Sequence, residues 1–308
     1  MKTNLAQSFE RRKPKKSLFQ TWEGLLYLLP FFIPYCIFTL VMLVEAFGLS
    51  FMDYKIFGGS TFIGWKNYKV IFNDPVFWTA LKNTVLFVTF STPVFVIAAF
   101  LVALLLEYKF LKHKTFFRAS FVMPMVLPVS VVATIGLYMF QPYVGLINGM
   151  LKTAHILGAD QEIFWIGDAD LVWVTITMLT LWWANGFNVV LYLAGMQDIS
   201  DTYYESAQLD GANYFQQVRH ITWPLLARTH LSILFLQLVA SFKIYGQAYI
   251  MTSGGPDGAS RTIIQYMWEM GFRTFNIGRA SAVAVVLFLI IFVVSGAQYT
   301  VSAKTSKL

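Results

Sequence analysis

Residues 203–226 read YYESAQLDGANYFQQVRHITWPLL, a compact polar stretch with Gly211 near its middle and Pro224 near its end. The runs on both sides of it are apolar enough to live in lipid. Thr202-Tyr203-Tyr204-Glu205 fits a capping box, with Glu205 returning to the backbone at Thr202. The short helix that this predicts ends at Gly211, the residue type that takes a left-handed conformation after a helix. Asn213 is placed to start a second short helix running to about Arg219, and Pro224 stops the pattern. The expectation is a polar helix–turn–helix gripped by greasy neighbours. An ordinary amphipathic loop lying on a membrane surface is the plainer alternative.

The neighbours decide the fold class. Of the 308 residues, 57% are hydrophobic and 13% charged, and the mean hydropathy is +0.59. A soluble domain carries about a quarter charged residues. Here the apolar excess lies in long runs instead of being broken by charge every turn or two, so the chain reads as an all-α, polytopic membrane protein. Six runs are long enough to cross: Leu25–Phe47, Thr84–Leu106, Ala119–Gln141, Leu171–Leu193, Thr229–Met251 and Ala280–Val301. Each is close to the roughly 20 residues that a hydrocarbon core requires. RRKPKK (Arg11–Lys16) resembles the start of a signal peptide. The run after it is too long for one and lacks a small-residue cleavage site, so it is expected to remain as a span.

The net charge of +7 does not point to nucleic acid, because the Lys and Arg cluster beside the apolar runs. Segments 1–24, 107–118, 194–228 and 302–308 hold 14 of them, against 8 in segments 48–83, 142–170 and 252–279. The clearest contrast is between EYKFLKHKTFFR (Glu107–Arg118), which is basic, and Gly158–Asp170, which has four acids and no Lys or Arg. Both termini and the 194–228 segment are therefore expected on the cytoplasmic side. Pro30, Pro34, Pro93, Pro124 and Pro128 interrupt the first three runs, and each frees a carbonyl that a neighbouring helix or a cavity must receive. Asp74 and Pro75 are suited to N-cap and first-turn positions of an aromatic helix through Phe77 and Trp78, expected to anchor at the interface. Ser253-Gly254-Gly255-Pro256 reads as a turn.

Several chemistries find no support. There is no GxxxxGK[ST] for ATP, no GxSxG elbow, and no HExxH among His113, His155, His220 and His230. Cys36 is the only cysteine, so no internal disulfide forms and a metal site is not expected. Glu45 and Lys243 are the charges within the runs. Glu45 is expected to snorkel, while Lys243 either does the same or faces a pathway. No proton relay is visible.

The spacing of Glu205, Ala207, Gly211, Ile221 and Pro224 resembles the EAA motif (EAA-x3-G-x9-I-x-L-P) of the inner-membrane permeases of binding-protein-dependent ABC importers. Ser206 stands at the middle alanine and Trp223 at the leucine before proline, both mild departures. Phe62–Phe87 and Met251–Trp268 are similar to segments of the carbohydrate branch, the MalF-like subunits. The large external domain of some of those proteins is absent, since Gly48–Asn83 is short. The resemblance implies a permease subunit for a sugar or oligosaccharide, in a bacterial or archaeal plasma membrane. It implies a basic N-terminal segment 1–24, a six-span domain 25–301 with a coupling segment 198–226 between the fourth and fifth spans, and a tail 302–308. Glu205, Ser206, Ala207, Asp210, Gly211, Ile221 and Pro224 would dock a separate cytoplasmic ATPase, which would hold the ATP and Mg that this chain lacks. Its other implied partners are a second, MalG-like permease and an extracytoplasmic solute-binding protein.

Sugars are held by aromatic faces together with hydrogen-bonding side chains. Thr180, Trp183, Ala184 and Phe187 share one helical stripe of the fourth run, and Gln237, Ser241 and Ile244 share another in the fifth. Near the midplane these two stripes are candidates to line a substrate pathway, with helix packing as the plainer alternative. The rival classes are a secondary, ion-coupled carrier and a membrane scaffold or channel. A carrier often shows inverted repeats with broken helices, and the sequence pattern displays neither.

Overall fold

A computed structural model describes residues 18–54, 59–108 and 111–305. Arg11–Lys16, most of segment 1–24, and the end of the tail at 306–308 lie outside the described residues, as does Lys109 of the basic loop. The chain divides after Gly48 into two compact units.

The described part of the first unit is helical. Helix α1 (Leu18–Tyr35) passes through a π-helical turn, Cys36–Val41, into α2 (Met42–Leu49). The wide turn begins two residues after Pro34. Glu45 is exposed on α2.

The second unit opens with an antiparallel pair, β1 (Met52–Tyr54) and β2 (Ser60–Phe62), in which Met52 faces Phe62. Helix α3 (Lys66–Phe72) follows, and Asn67 ties it to the carbonyls of Ser50 and Met52 at 2.9 and 2.8 Å. Then comes α4 (Pro75–Glu107), 33 residues long. Asp74 is its N-cap and accepts from the Val76 N–H at 2.8 Å, with Pro75 in the first turn. The aromatic helix foreseen at Phe77 and Trp78 is not a separate interfacial element, however. It continues without a break into the second span, burying Phe77 and leaving Trp78 exposed. Continuity follows from the absence of any helix-stopping residue between Pro75 and Thr84.

The remaining helices are α5 (Lys114–Val122), α6 (Val129–Met139), α7 (Leu146–Thr153), α8 (Val172–Ala184), α9 (Gly186–Gln197), α10 (Asp201–Leu209), α11 (Tyr214–Gln217), α12 (Trp223–Leu225), α13 (Ala227–Phe242), α14 (Gly246–Thr252), α15 (Ile263–Trp268) and α16 (Ile277–Thr305). Among the described residues, Leu26–Leu49, Pro75–Glu107 and Ile277–Thr300 are each long and apolar enough to cross a membrane. Three bent pairs also qualify: Lys114–Val126 with Val129–Met139 at 98°, Val172–Ala184 with Gly186–Gln197 at 53°, and Tyr214–Leu225 with Ala227–Phe242 at 67°. The protein is a mostly helical, multi-pass membrane protein with three to six candidate spans.

The third, fourth and fifth predicted spans are all broken; Pro124 and Pro128 foreshadowed the first of these breaks, and uniform apolarity concealed the other two. The first break lies at Leu127, held extended by the proline that follows it. The second lies at Asn185-Gly186. A Cβ on Gly186 would stand 2.3 Å from the Phe121 carbonyl oxygen, so only glycine lets α9 approach α5 this closely. The Asn185 amide, turned to satisfy its neighbours, donates to the Phe95 carbonyl at 3.1 Å and accepts from the Ala99 N–H at 3.3 Å, gripping the middle of α4. In the fifth span, α13 ends at Phe242 and α14 starts at Gly246, so Lys243–Tyr245 leaves the helix.

Two buried clusters hold the second unit together. One gathers Phe87, Phe95, Val132, Ile176, Leu179, Ile244 and Met251, the other Phe100, Ala103, Leu106, Tyr192, Leu193, Leu226 and Ile233. In lipid, close packing and hydrogen bonds rather than exclusion of water stabilise such clusters. At the opposite end of α4 from Glu107, Asn83 donates to the Gly258 and Arg261 carbonyls, Thr84 accepts from the Ile263 N–H, and the Tyr266 hydroxyl donates to Asp74 at 2.6 Å. The Ser253–Pro256 turn thus belongs to a loop fastened at several points, including the Trp173 indole N–H on the Ala259 carbonyl at 2.9 Å.

Candidate functional site

Helix α10 starts earlier than its sequence suggests. Ser200 is the N-cap, and its hydroxyl accepts from the Thr202 N–H at 3.4 Å. The Thr202–Glu205 capping box does not form, because Ser200 already caps the helix and Asp201 complements its positive end. Glu205 is left in the helix interior with its side chain exposed. A true box forms one element later: Asn213 accepts from the Gln216 N–H at 3.0 Å, while Gln216 accepts from the Asn213 N–H at 2.8 Å.

The end of α10 is a Schellman closure. The Ala212 N–H donates to the Ala207 carbonyl at 2.9 Å and the Gly211 N–H to the Gln208 carbonyl at 3.0 Å, with Gly211 at φ +81°. A Cβ there would meet nothing within 4 Å, so the glycine serves backbone conformation and not space. Gln217 turns back to donate to the Ala212 carbonyl at 2.9 Å.

After α11 the chain does not stop near Arg219. It continues as a π-helical turn over Val218–Thr222 into α12 and bends only at Leu226. The wide turn precedes Pro224, whose missing N–H leaves the His220 carbonyl of that turn without its ladder partner.

The segment is bound firmly to the rest of the unit. Tyr204 and Thr222 share a 3.0 Å hydrogen bond across its two arms. Tyr214 donates to the Leu104 carbonyl at 3.4 Å and packs edge-on against Tyr108 at 5.4 Å, both at the end of α4. His230 bridges the Tyr192 hydroxyl at 2.9 Å and the Trp223 carbonyl at 3.1 Å, within a cluster of Phe100, Trp223 and its own ring.

Of the predicted docking residues, Glu205, Ser206, Asp210, Gly211 and Pro224 are exposed, and Ala207 and Ile221 are half-buried. Ala207, Asp210, Gly211 and Ile221 come together with Gln216 and His220 around an open groove of about 340 Å³. Asp210 lies at the negative end of α10, where its carboxylate has no dipole partner and adds to the field of Glu205. The exposed tip carries these two carboxylates, with Arg219 exposed on the second arm.

The two predicted pathway stripes have different fates. Gln237 lies in a polar network between helices: it accepts from Asn188 at 2.7 Å and donates to Ser241 at 3.1 Å, and Ser241 accepts from Thr92 at 3.2 Å. Thr180 is buried, donating to the Ile176 carbonyl at 2.7 Å and accepting from Gln247 at 3.4 Å. Ile244 belongs to the first core cluster. Trp183 is half-buried with its indole N–H on the Leu127 carbonyl at 3.1 Å, Ala184 is half-buried, and Phe187 is exposed. Lys243 is exposed at the end of α13. Sequence reasoning missed Asn185, Asn188 and His230, although polar residues at helical spacing inside an apolar run were a visible sign of Asn185 and Asn188.

Comparison with known proteins agrees with this architecture. The profile of the "binding-protein-dependent transport system inner membrane component" family matches residues 72–307. The "probable ABC transporter permease protein YurN" of Bacillus subtilis is 33% identical over 271 residues, covering 86% of this chain and 92% of that protein. The "arabinooligosaccharides transport system permease protein AraP" of Halalkalibacterium halodurans is 28% identical, covering 87% and 84%. Among solved structures, a chain of a bacterial alginate ABC transporter in complex with an alginate pentasaccharide-bound periplasmic protein superposes with a TM-score of 0.80 at 21% identity, covering 94% of this chain and 96% of that one.

Proposed function

The chain belongs to the binding-protein-dependent transport system inner membrane components, the permeases of ABC importers, and from that premise we propose that it conducts a sugar or oligosaccharide handed over by an extracytoplasmic binding protein. It is a permease subunit and not a catalytic one. Support for the sugar comes from relatives such as the arabinooligosaccharide permease. In this reading the six spans are the three single helices, α5 with α6, α8 with α9, and α13 with α14, and both termini and the α10–α12 segment lie in the cytoplasm. The domain runs from 25 to 301.

One observation carries the coupling assignment: α10 ends in an exposed left-handed turn at Gly211, flanked by the exposed carboxylates of Glu205 and Asp210, while Tyr204, Tyr214 and His230 fasten its base to the bundle. A rigid, carboxylate-bearing tip on a firm base suits docking to a separate ATPase chain that presents a cationic cleft. Ser206 and Ala207 keep its flank small, and Ile221 and Pro224 shape the second arm. For the pathway, Trp183, Ala184, Phe187 and Gln237 keep accessible surface, and Thr180, Ser241 and Ile244 form the wall behind them. ATP and Mg belong to the partner, and a second, MalG-like permease completes the channel.

The test is uptake in proteoliposomes holding this chain, its partner permease and the ATPase, with binding protein outside and a panel of pentose and hexose oligosaccharides. ATP-dependent and binding-protein-dependent uptake of at least one sugar is expected. Uptake driven by an ion gradient without ATP would replace the reading with a secondary carrier. Glu205→Ala should still insert in the membrane while retaining the ATPase poorly on co-purification.

A further inference from the structure

Four aromatic rings form an unbroken row across α14, α15 and the turn that follows. Tyr245 and Tyr249 stack at 5.4 Å with planes 22° apart, Tyr249 meets Trp268 at 5.5 Å, and Trp268 stacks on Phe272 at 6.0 Å and 28°. The first three rings are half-buried and Phe272 is 62% exposed, so the row keeps open surface along its length. A π-helical stretch, Glu269–Arg273, carries Phe272 and begins directly after Trp268. Such wide turns gather at functional sites.

Tyr and Trp also collect where a span leaves the hydrocarbon, so an interfacial anchor is the competing explanation. One feature disagrees with it. Tyr245 lies at the break Lys243–Tyr245, and α13 before it has 16 residues, about 24 Å, which falls short of the roughly 30 Å core. The break thus lies at membrane depth, where non-helical backbone is tolerated only inside protein or along a water-filled cavity. The row is also flanked by charge. Lys243 is exposed beside its inner end and Arg273 beside its outer end. Between them Glu269 makes ion pairs with Arg261 at 3.8 Å and Arg273 at 3.9 Å and accepts from Gln265 at 3.1 Å. Beside the rings these groups offer hydrogen-bonding partners to a polar ligand.

Aromatic faces edged with charged and amide groups suit pyranose or furanose rings, whose C–H faces are apolar and whose rims are hydroxyls. Four rings in series offer more face than one sugar unit covers. We propose that Tyr245, Tyr249, Trp268 and Phe272 form a track that guides a multi-unit oligosaccharide from the outer loop toward the break in the fifth span. This rests on the sugar-importer reading above and adds a site to it.

The test uses the reconstituted complex and a sugar that the uptake panel shows to be carried, presented as its trimer and as its monomer. Trp268→Leu and Phe272→Leu keep apolar bulk but remove the ring, and Trp268→Phe restores one. The expected result is a KM for the trimer raised by about tenfold in the Leu variants, with a far smaller change for the monomer and recovery in Trp268→Phe. Phe272 is mostly exposed, so its variant reads the track even if Trp268→Leu fails to assemble. Trimer KM values equal to wild type in Phe272→Leu and in any assembled Trp268 variant would overturn the track and leave the sugar reading intact. Equal losses for trimer and monomer would assign the row to anchoring. If wild type carries no sugar of the panel, the functional reading itself fails.

Discussion

Gly211 permits a quantitative test, because structure separates its two possible roles. Its φ of +81° lies in the left-handed region, and an added Cβ would touch nothing. Any cost of substitution within this chain is therefore conformational. Alanine in a left-handed position costs about 1–2 kcal/mol. Asparagine costs less, since it visits this region readily, and valine costs more, since a β-branched residue there is a genuine outlier. A change of 1–2 kcal/mol lowers the ratio of closed to open turn by about 5- to 30-fold. The turn is a local feature, so the bundle should remain folded. The expected order of ATPase affinity is Gly, Asn, Ala, Val, measured by titrating purified ATPase onto detergent-solubilised permease complex, with uptake following the same order. Equal impairment by Asn and Val would refute the backbone argument and assign the effect to steric contact with the partner. Full activity in Gly211→Val would remove the turn from coupling altogether.

Gly186→Ala should prevent close approach of α9 to α5 at the Phe121 carbonyl and cost at least about 1–3 kcal/mol, seen as a lower melting temperature of the complex. Asn188→Leu removes the 2.7 Å bond to Gln237 and should cost about 0.6–2 kcal/mol, with Asn188→Leu and Gln237→Leu non-additive in the double variant. Tyr266→Phe deletes the bond to Asp74 and should cost about 1.5–3 kcal/mol. Burial first, and then Asp74, raise the Tyr266 phenol above its ordinary 10.0, so its contribution is full below pH 10 and is lost as pH climbs from there toward the folded value; alkaline melts of wild type and Tyr266→Phe should converge. Finally, in a Cys36→Ala background, an impermeant thiol reagent on intact cells should label Ser253→Cys and spare Ser206→Cys. The reverse pattern would invert the proposed topology.

Apolar runs announced membrane helices, and Asp74-Pro75 and Gly211 announced a cap and a turn, because each is a local property that the chain carries wherever it goes. The breaks at Leu127, Asn185 and Leu226 were less legible. Pro128 and Pro224 mark the first and last of these, but the run is apolar on both sides of Asn185, and the bend there depends on contacts with α4 and α5, far away in sequence. The helix start at Ser200 was misjudged because Ser200 and Thr202 are both competent caps, and only the folded chain selects between them. Gln237 and Ser241 were recognisable as polar groups that lipid would reject. Their partners Asn188 and Thr92 come from other helices, so no window of sequence displays the network.

Helix α4 is a single rod of 33 residues, about 50 Å long, in a unit whose other spans are largely segmented. Its far end holds Tyr266 through Asp74 and the 258–263 loop through Asn83 and Thr84, and its near end meets Tyr214 of the α10–α12 segment. Asn185 grips it near the centre, at Phe95 and Ala99. The rod is not uniform, because Pro93 cannot donate to the Thr89 carbonyl and so interrupts the ladder beside that grip. A bend of about 5° at Pro93 would shift either end by about 2 Å, a displacement well above what packed side chains absorb without rearranging. One helix thus spans from the outer loop to the α10–α12 segment with its weakest turn where Asn185 holds it.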